Sequence, residues 1–191
     1  MLDPKDEAAL VARAKQDAEA FGLLYERYVK KIYNYVYYRT GNEHDAEDLT
    51  ARVFVRAMAH LHHYDDRGLP FSAWLYRIAH NLLANWHRDQ GRRKVFPLDQ
   101  LPVHDWRDLR SEAPEAMTES REERERLLRA IRQLPGERQQ LLILKFVERL
   151  SNAEIGAILQ RSEGAVKSLY HRTLLALRDQ LGDQNINLEG E

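Results

Sequence analysis

The chain has 191 residues, 43% of them hydrophobic and 31% charged, but its longest apolar run, residues 8–12, is far below the roughly 20 residues of a membrane-spanning helix. A net charge of −1 removes any argument for nucleic-acid binding from bulk charge, and the lack of cysteine excludes disulfides, zinc fingers and thiol catalysis. Acidic residues stand where a basic leader would begin, so we expect a cytoplasmic protein with no membrane insertion.

The N-terminal half is predicted to form four helices, because apolar residues recur there at three- and four-residue spacing and no stretch alternates like a strand. The first is expected to end near Gln16. The second is expected to end at Thr40-Gly41, where glycine suits the residue after a helix, and Asn42 can cap the third. A turn over residues 64–70 precedes the fourth helix, which carries apolar residues from 71 to 86.

The periodic pattern disappears between residues 92 and 118, a stretch that contains three prolines. A segment of this length is too long to remain structureless inside one compact domain. The sequence therefore predicts two domains, 1–91 and 119–181, joined by a flexible linker over 92–118 and followed by a disordered acidic tail over 182–191.

Two capped helices near the C-terminus form the most informative pattern. Helices over 119–134 and 137–147 precede the capping box Ser151 to Glu154, and Ser162 can cap a final helix that runs to Leu181. Two helices joined by about three residues are typical of a helix-turn-helix, whose second helix lies in the DNA major groove. Residues 119–181 also hold 12 Lys and Arg against 9 Asp and Glu, a surplus that other segments lack.

Polar and small residues occupy the predicted outward face of the final helix. Lysine and arginine can pair with guanine, and the N–H groups at the helix start can bind a phosphate. From the spacing alone, a plain helical hairpin with a solvated face is equally consistent. The candidate DNA-binding residues are Ser162, Glu163, Ala165, Lys167, Ser168, His171 and Arg172.

These motifs resemble those of a known family. Leu150–Gly156, Ser162–Ser168 and His171-Arg172 are similar to the region 4 helix-turn-helix of bacterial sigma factors of the extracytoplasmic-function class, group 4 of the sigma-70 family. In the N-terminal half, three segments resemble sigma region 2 and follow one another in the same order as in the family: Phe21–Tyr28, Asp45–Leu49 and Phe71–Asn81.

The resemblance implies an all-α protein with a region 2 bundle and a region 4 helix-turn-helix. It implies an RNA polymerase sigma factor that catalyses nothing, binds −35 duplex through its second domain, and melts and reads −10 DNA through its first. The implied partners are promoter DNA, core RNA polymerase through its β′ clamp helices and β flap, and an anti-sigma factor.

Region 2 of the family extrudes a −10 base into a pocket between a loop and the helix that follows it. Trp74 is interpreted here as core, whereas Trp86, near a basic run, is more open to a DNA role. By position, the implied −10 residues are Tyr64, Asp66, Arg67, Arg77, Asn81, Asn85 and Arg88.

The third helix is the implied docking surface for core polymerase. Leu49 and Val53 also suit the protein's own core, so Arg52 and Arg56 are the better interface candidates. Thr50-Ala51-Arg52 departs from the family, which usually has a Gln-Glu pair there. The implied polymerase-binding residues are Asp48, Leu49, Arg52, Val53, Phe54 and Arg56.

The helix-turn-helix departs from the family as well. Gln160 stands where glycine is usual, and a positive φ there would cost on the order of 1 kcal/mol. Leu169 replaces a frequent arginine, and residues 174–176 replace a basic stretch. Two interpretations remain open: a weaker and less salt-sensitive grip on DNA, or an apolar contact for a partner protein.

Other functions have little support in the sequence. His60, His62 and His63 cluster, but only the first and last share a helix face, so we expect no metal site and no cofactor. No motif of a catalytic site is present. The remaining alternative is a stand-alone helix-turn-helix regulator whose N-terminal helices serve dimerisation or sensing.

Overall fold

The computed structural model describes residues 4–65, 68–89 and 119–182. In these ranges the regular structure is entirely helical, which confirms the predicted all-α class. The chain divides into two compact units whose main boundary falls between residues 89 and 119. The predicted linker, most of the predicted tail, and two implied −10 residues, Asp66 and Arg67, lie outside the described residues.

The N-terminal unit is a bundle in which α2 packs against α1, α3 and α4, and α3 also packs against α4. Its core consists of aliphatic and aromatic side chains, with Leu24, Ile32, Tyr35, Val53 and Leu75 all completely buried. A short 3-10 turn at Leu61–His63 follows α3. The helices are α1 (Pro4–Ala14), α2 (Ala18–Thr40), α3 (Glu43–His60) and α4 (Phe71–Asp89).

Local capping explains where these helices begin and end. Gly41 has a left-handed φ of 68° and donates its N–H to Tyr37 O (2.9 Å), as predicted for the end of α2. Asn42 Oδ1 accepts from Asp45 N (3.0 Å), which confirms the predicted cap of α3. The prediction for α1 was two residues too long, because Asp17 caps α2 by accepting from Glu19 N (2.9 Å).

The C-terminal unit is built on α5 (Glu119–Gln133), α6 (Gly136–Leu142) and α8 (Glu163–Leu181), with α8 packed against α5 and α6, and α7 (Asn152–Leu159) precedes α8 in the chain. One helix was predicted over residues 137–147, but α6 gives way to a π-helical turn at Ile143–Val147. There Glu148 N donates to Ile143 O (3.1 Å), five residues back.

The two predicted N-caps of the helix-turn-helix are present. Ser151 Oγ accepts from Glu154 N (3.2 Å), and Glu154 Oε2 accepts from Ser151 N (2.6 Å), so the capping box is complete. Ser162 Oγ accepts from Ala165 N (3.2 Å). Each cap satisfies backbone donors that the helix itself leaves unpaired, and this fixes the starts of α7 and α8.

Helical spacing predicts that Val166, Tyr170, Leu174, Leu177 and Leu181 form the buried face of α8. Tyr170 and Leu181 are only partly buried, whereas Leu169 and Thr173 are buried together with the other three. Thr173 tolerates burial because its hydroxyl donates to Leu169 O (2.7 Å). The buried face of α8 therefore includes Thr173, which its polar side chain does not mark as a core residue in the sequence.

Gln160, which stands where the family usually has glycine, has a positive φ of 56°. It follows the last residue of α7, and Arg161 N donates to Gly156 O (2.9 Å), the bond that closes a helix ending in a left-handed residue. Glycine adopts this conformation without a steric cost, whereas a side chain is strained in it.

Gln160→Gly is therefore expected to raise the free energy of unfolding by about 0.5 to 1 kcal/mol. The control is Ala51→Gly, an exposed position inside α3, where glycine should lower stability by about 1 kcal/mol. Calorimetry of the full chain measures both. A destabilising Gln160→Gly would show that the left-handed turn is not strained.

Candidate nucleic-acid interface

The outer face of α8 presents the predicted DNA-binding side chains. Lys167, Ser168, His171 and Arg172 are exposed, and Ala165 is half-buried near the start of the helix. The opposite face is held in the core of the C-terminal unit. The helix can therefore approach a DNA groove with its polar side without exposing its apolar contacts.

The charges on this face are paired within the helix. Lys167 Nζ lies 3.2 Å from Glu163 Oε1, with the two side chains 64% and 52% exposed. Arg172 Nε donates to Ser168 O (3.2 Å). An exposed ion pair of this kind is worth little in water, so a phosphate can replace the carboxylate as the partner of Lys167.

Two apolar residues that depart from the family pattern lie in the core. Leu169 is 5% exposed and Leu174 is 7% exposed, while Leu175 and Ala176 are half-buried. The interpretation of Leu169 and Leu174 as a contact for a partner protein is therefore wrong, because packing within the unit already covers both.

A half-exposed cluster that the sequence analysis missed lies beside α8. Lys145 Nζ is 5.7 Å from the centre of the Tyr170 ring and donates to Asn152 Oδ1 (3.1 Å), and the Phe146 ring lies 6.1 Å from that of Tyr170. Burial raises the pKa of the Tyr170 hydroxyl above its ordinary value. The contacts tie the π-helical turn to α7 and α8, and only the tertiary fold brings them together.

The exposed face of α4 carries four of the predicted −10 residues. Arg77, Asn81, Asn85 and Arg88 are all exposed and follow one another at intervals of four, four and three residues. This spacing places them along one side of the helix. Asn can read a base edge and Arg can bind phosphates, so the face suits single-stranded DNA.

The described part of the loop before α4 joins an aromatic cluster. The Tyr64 ring lies 5.3 Å from that of Phe71 and 5.0 Å from that of Trp74, and the latter two are 5.4 Å apart. Tyr64 and Trp74 are half-buried. Trp86 is also half-buried and packs edge-on against His87, with the rings 4.9 Å apart.

Half of the predicted polymerase-binding residues on α3 are buried in the protein's own core. Leu49, Val53 and Phe54 are 1%, 0% and 5% exposed, because α3 packs against both α2 and α4. Phe54 additionally meets Tyr25 of α2 edge-on, with ring centres 4.8 Å apart. These three residues cannot contact a partner directly, and their prediction as contact residues is wrong.

The remaining face of α3 is exposed and contains two apolar residues that the sequence analysis missed. Asp48, Arg52 and Arg56 are exposed, and Arg52 Nη1 lies 3.4 Å from Asp48 Oδ2. Val55 and Met58 are 61% and 56% exposed. Val55 and Met58 do not fall at the helical spacing of the buried residues of α3, and this pattern could have indicated the exposed apolar surface from the sequence.

The family departure at Thr50-Ala51-Arg52 is split between core and surface. Thr50 is 5% exposed, and its hydroxyl has no hydrogen-bond partner among the described residues, whereas Ala51 and Arg52 face outward. Only the last two can therefore alter the exposed face of α3.

Neither a metal cluster nor a membrane span is found in the parts of the chain that the structure covers. No three His, Cys, Asp or Glu side chains converge among residues 4–65, 68–89 and 119–182, although the His60 and His63 rings lie 6.5 Å apart. None of the described helices is long and apolar enough to cross a bilayer.

The two helical units define a protein of the sigma-70 class. The sigma-70 region 2 family model matches residues 24–93, and the sigma-70 region 4 model matches residues 124–177. The first match covers most of α2 together with α3 and α4, and the second covers most of α5 and α8 together with α6 and α7.

Relatives of the chain agree with this class. The chain is 34% identical to the ECF RNA polymerase sigma factor SigW of Bacillus subtilis, over 88% of this chain and 92% of SigW. It is also 34% identical to the ECF RNA polymerase sigma factor BldN of Streptomyces coelicolor, over 91% of this chain and 65% of BldN. The chain therefore belongs to the extracytoplasmic-function sigma factors of the sigma-70 family.

A solved complex shares the fold. The sigma factor RpoE, in a crystal with the anti-sigma factor NepR from Bartonella quintana, matches with a TM-score of 0.60 and 17% identity, over 86% of this chain and 98% of that one.

Replacing Leu169 with the arginine that is frequent in the family is expected to destabilise this chain. Leu169→Arg would place a charge at a buried position and lower the free energy of unfolding by about 3 kcal/mol or more. Ser168→Arg, one residue earlier on the exposed face, is the matched control and should change stability by less than about 0.5 kcal/mol. Thermal unfolding of the two variants separates them. Equal stability of the two variants would mean that a charged side chain at position 169 can reach solvent.

Proposed function

We propose that this chain is the promoter-specificity subunit of a bacterial RNA polymerase and acts in the cytoplasm. It catalyses no reaction itself and directs a core enzyme that does. The observation that carries the proposal is the pairing, in one chain and in family order, of a region 2 bundle and a region 4 helix-turn-helix, each with an exposed polar face.

The C-terminal unit reads the −35 duplex in this proposal. The first turn of α8, at Ser162 and Glu163, lies against a phosphate, and Ala165 allows close approach to the groove. Lys167 exchanges its contact with Glu163 for a phosphate or a guanine. The base-reading residues beyond it are Ser168, His171 and Arg172.

The N-terminal unit melts and reads the −10 element. A flipped base costs a few kcal/mol of stacking, and a prepared surface must offset that cost. Arg77 and Arg88 bind the backbone, Asn81 and Asn85 read base edges, and Tyr64 lines the entry to the surface. Asp66 and Arg67, which stand in the same loop, are proposed to complete it.

Core polymerase is proposed to bind the exposed face of α3 through its β′ clamp helices. Arg52, Asp48 and Arg56 supply polar contacts, and Val55 and Met58 supply the apolar centre that a protein interface needs. A second contact joins region 4 to the β flap. An anti-sigma factor is the proposed inhibitor, since the similar RpoE was crystallised with one.

The two DNA-binding surfaces are expected to be weak when separate. A tether over residues 92–118 converts the second contact into an intramolecular event, which strengthens binding only if polymerase holds both units at the promoter spacing. The isolated chain should therefore bind promoters poorly, and the holoenzyme should bind them strongly.

Run-off transcription with bacterial core polymerase tests the proposal. Genomic fragments are transcribed with core alone and with core plus the chain, and the enriched start sites are sequenced. We expect discrete starts that share two upstream elements and appear only with the chain. A chain that binds a single operator tightly as a dimer, and never associates with core, would instead be a stand-alone regulator.

The apolar residues on α3 provide a direct test of the polymerase surface. Val55→Glu combined with Met58→Glu is expected to weaken core binding by about 30-fold, because both side chains would lie at the centre of the interface. Leu23→Glu removes an apolar side chain that is 50% exposed on α2 and is the matched control. Competition for core against a labelled wild-type chain measures both. An equal effect of the two changes would place the interface elsewhere.

A further inference from the structure

Two side chains from the N-terminal end of the chain hold the segment that connects α3 to α4. Lys15, just after α1, donates from Nζ to Tyr64 O (2.8 Å), and Glu7 of α1 accepts at Oε2 from Phe71 N (3.3 Å). Tyr64 and Phe71 are the two ends of the loop before α4. Both anchoring residues precede residue 24, where the region 2 family match begins, so that match assigns them no role.

Glu7 also fixes the first turn of α4 to the middle of the bundle. Its Oε1 accepts from the hydroxyl of Tyr28 on α2, and the Tyr28 and Phe71 rings lie 5.9 Å apart. The N–H of Phe71 is among those that a helix leaves unpaired at its start, and a carboxylate is favoured there by the helix dipole. A side chain supplied by another helix thus caps α4.

Lys15 holds the other end of the loop, at Tyr64. Its amine is half-buried and holds the carbonyl of Tyr64, whose ring contacts both Phe71 and Trp74. The two anchors therefore converge on one aromatic cluster. A shift of either anchored end would move Tyr64 relative to the exposed face of α4, which begins six residues after Phe71 with Arg77.

We propose that Glu7 and Lys15 are positioning residues for −10 recognition, holding Tyr64 and the start of α4 in the arrangement that receives an unstacked base. The inference rests on the proposed function. Preorganisation is the physical reason, because a surface that must first be ordered binds more weakly than one already in place. Neither side chain needs to contact DNA.

Holoenzymes with changed anchors test the inference. The variants are Glu7→Ala, which removes both acceptors, Lys15→Met, which removes the donor, and the conservative Lys15→Arg. The controls are Asp6→Asn and Arg13→Met, which remove the same charges from exposed positions of α1, where Arg13 pairs with Asp17 (3.2 Å).

The probe is a forked fragment of a promoter recovered by the wild-type holoenzyme, with a duplex −35 element and a single-stranded −10 element. A second fragment carries abasic nucleotides at −10. The dissociation constant of the abasic fragment divided by that of the intact fragment reports base recognition, and this ratio is insensitive to a uniform loss of folded protein. Core affinity and affinity for a duplex −35 fragment are measured in parallel.

We expect Glu7→Ala and Lys15→Met to reduce this ratio by about tenfold, with core and −35 affinities unchanged within about twofold. Lys15→Arg should retain the wild-type ratio, as should both controls. A wild-type ratio in Glu7→Ala and Lys15→Met would overturn this inference but not the proposed function. A loss of core affinity as large as the loss of affinity for the forked fragment would do the same. A wild-type ratio of one would overturn the proposed function together with it.

Discussion

Burial of one face of each helix determines where this protein can bind anything. Complete burial of one large aliphatic side chain contributes about 1.5 to 3 kcal/mol, whereas an exposed ion pair contributes about 1 kcal/mol or less. On α8 this places Val166, Leu169 and Leu177 inside, and on α3 it places Leu49 and Val53 inside. The residues left outside are then the only ones available to DNA or to a protein partner, and the binding faces are set by the core.

Backbone hydrogen bonding sets the positions of these faces along the chain. Ser162 and Asn42 cap α8 and α3, so the first exposed turn of each helix begins at a defined residue. At the start of α4, a carboxylate from α1 performs the same task by accepting from Phe71 N. A cap that is distant in the sequence couples the start of α4 to the packing of α1, whereas a local cap acts independently of tertiary structure.

The features that could be predicted from the sequence are those with a local cause. The capping box and the cap at Ser162 depend on residues within a few positions of one another, and both were predicted. The buried Phe54 and Leu169 depend on which neighbouring helix packs against them, and a single sequence does not specify that. The bond from Lys15 to Tyr64 joins residues 49 positions apart and leaves no periodic signal at all.

Placement of charge, rather than its amount, has to account for DNA binding by this chain. With 29 basic and 30 acidic residues, the total charge supplies no attraction to DNA, and Lys167 is already paired with Glu163. A phosphate that binds Lys167 must therefore replace Glu163, and the net gain in free energy is small. Short-range contacts that contribute little binding free energy discriminate between promoters only when the polymerase already holds the DNA nearby. A near-neutral specificity subunit thus depends on the polymerase for affinity and contributes the choice of site.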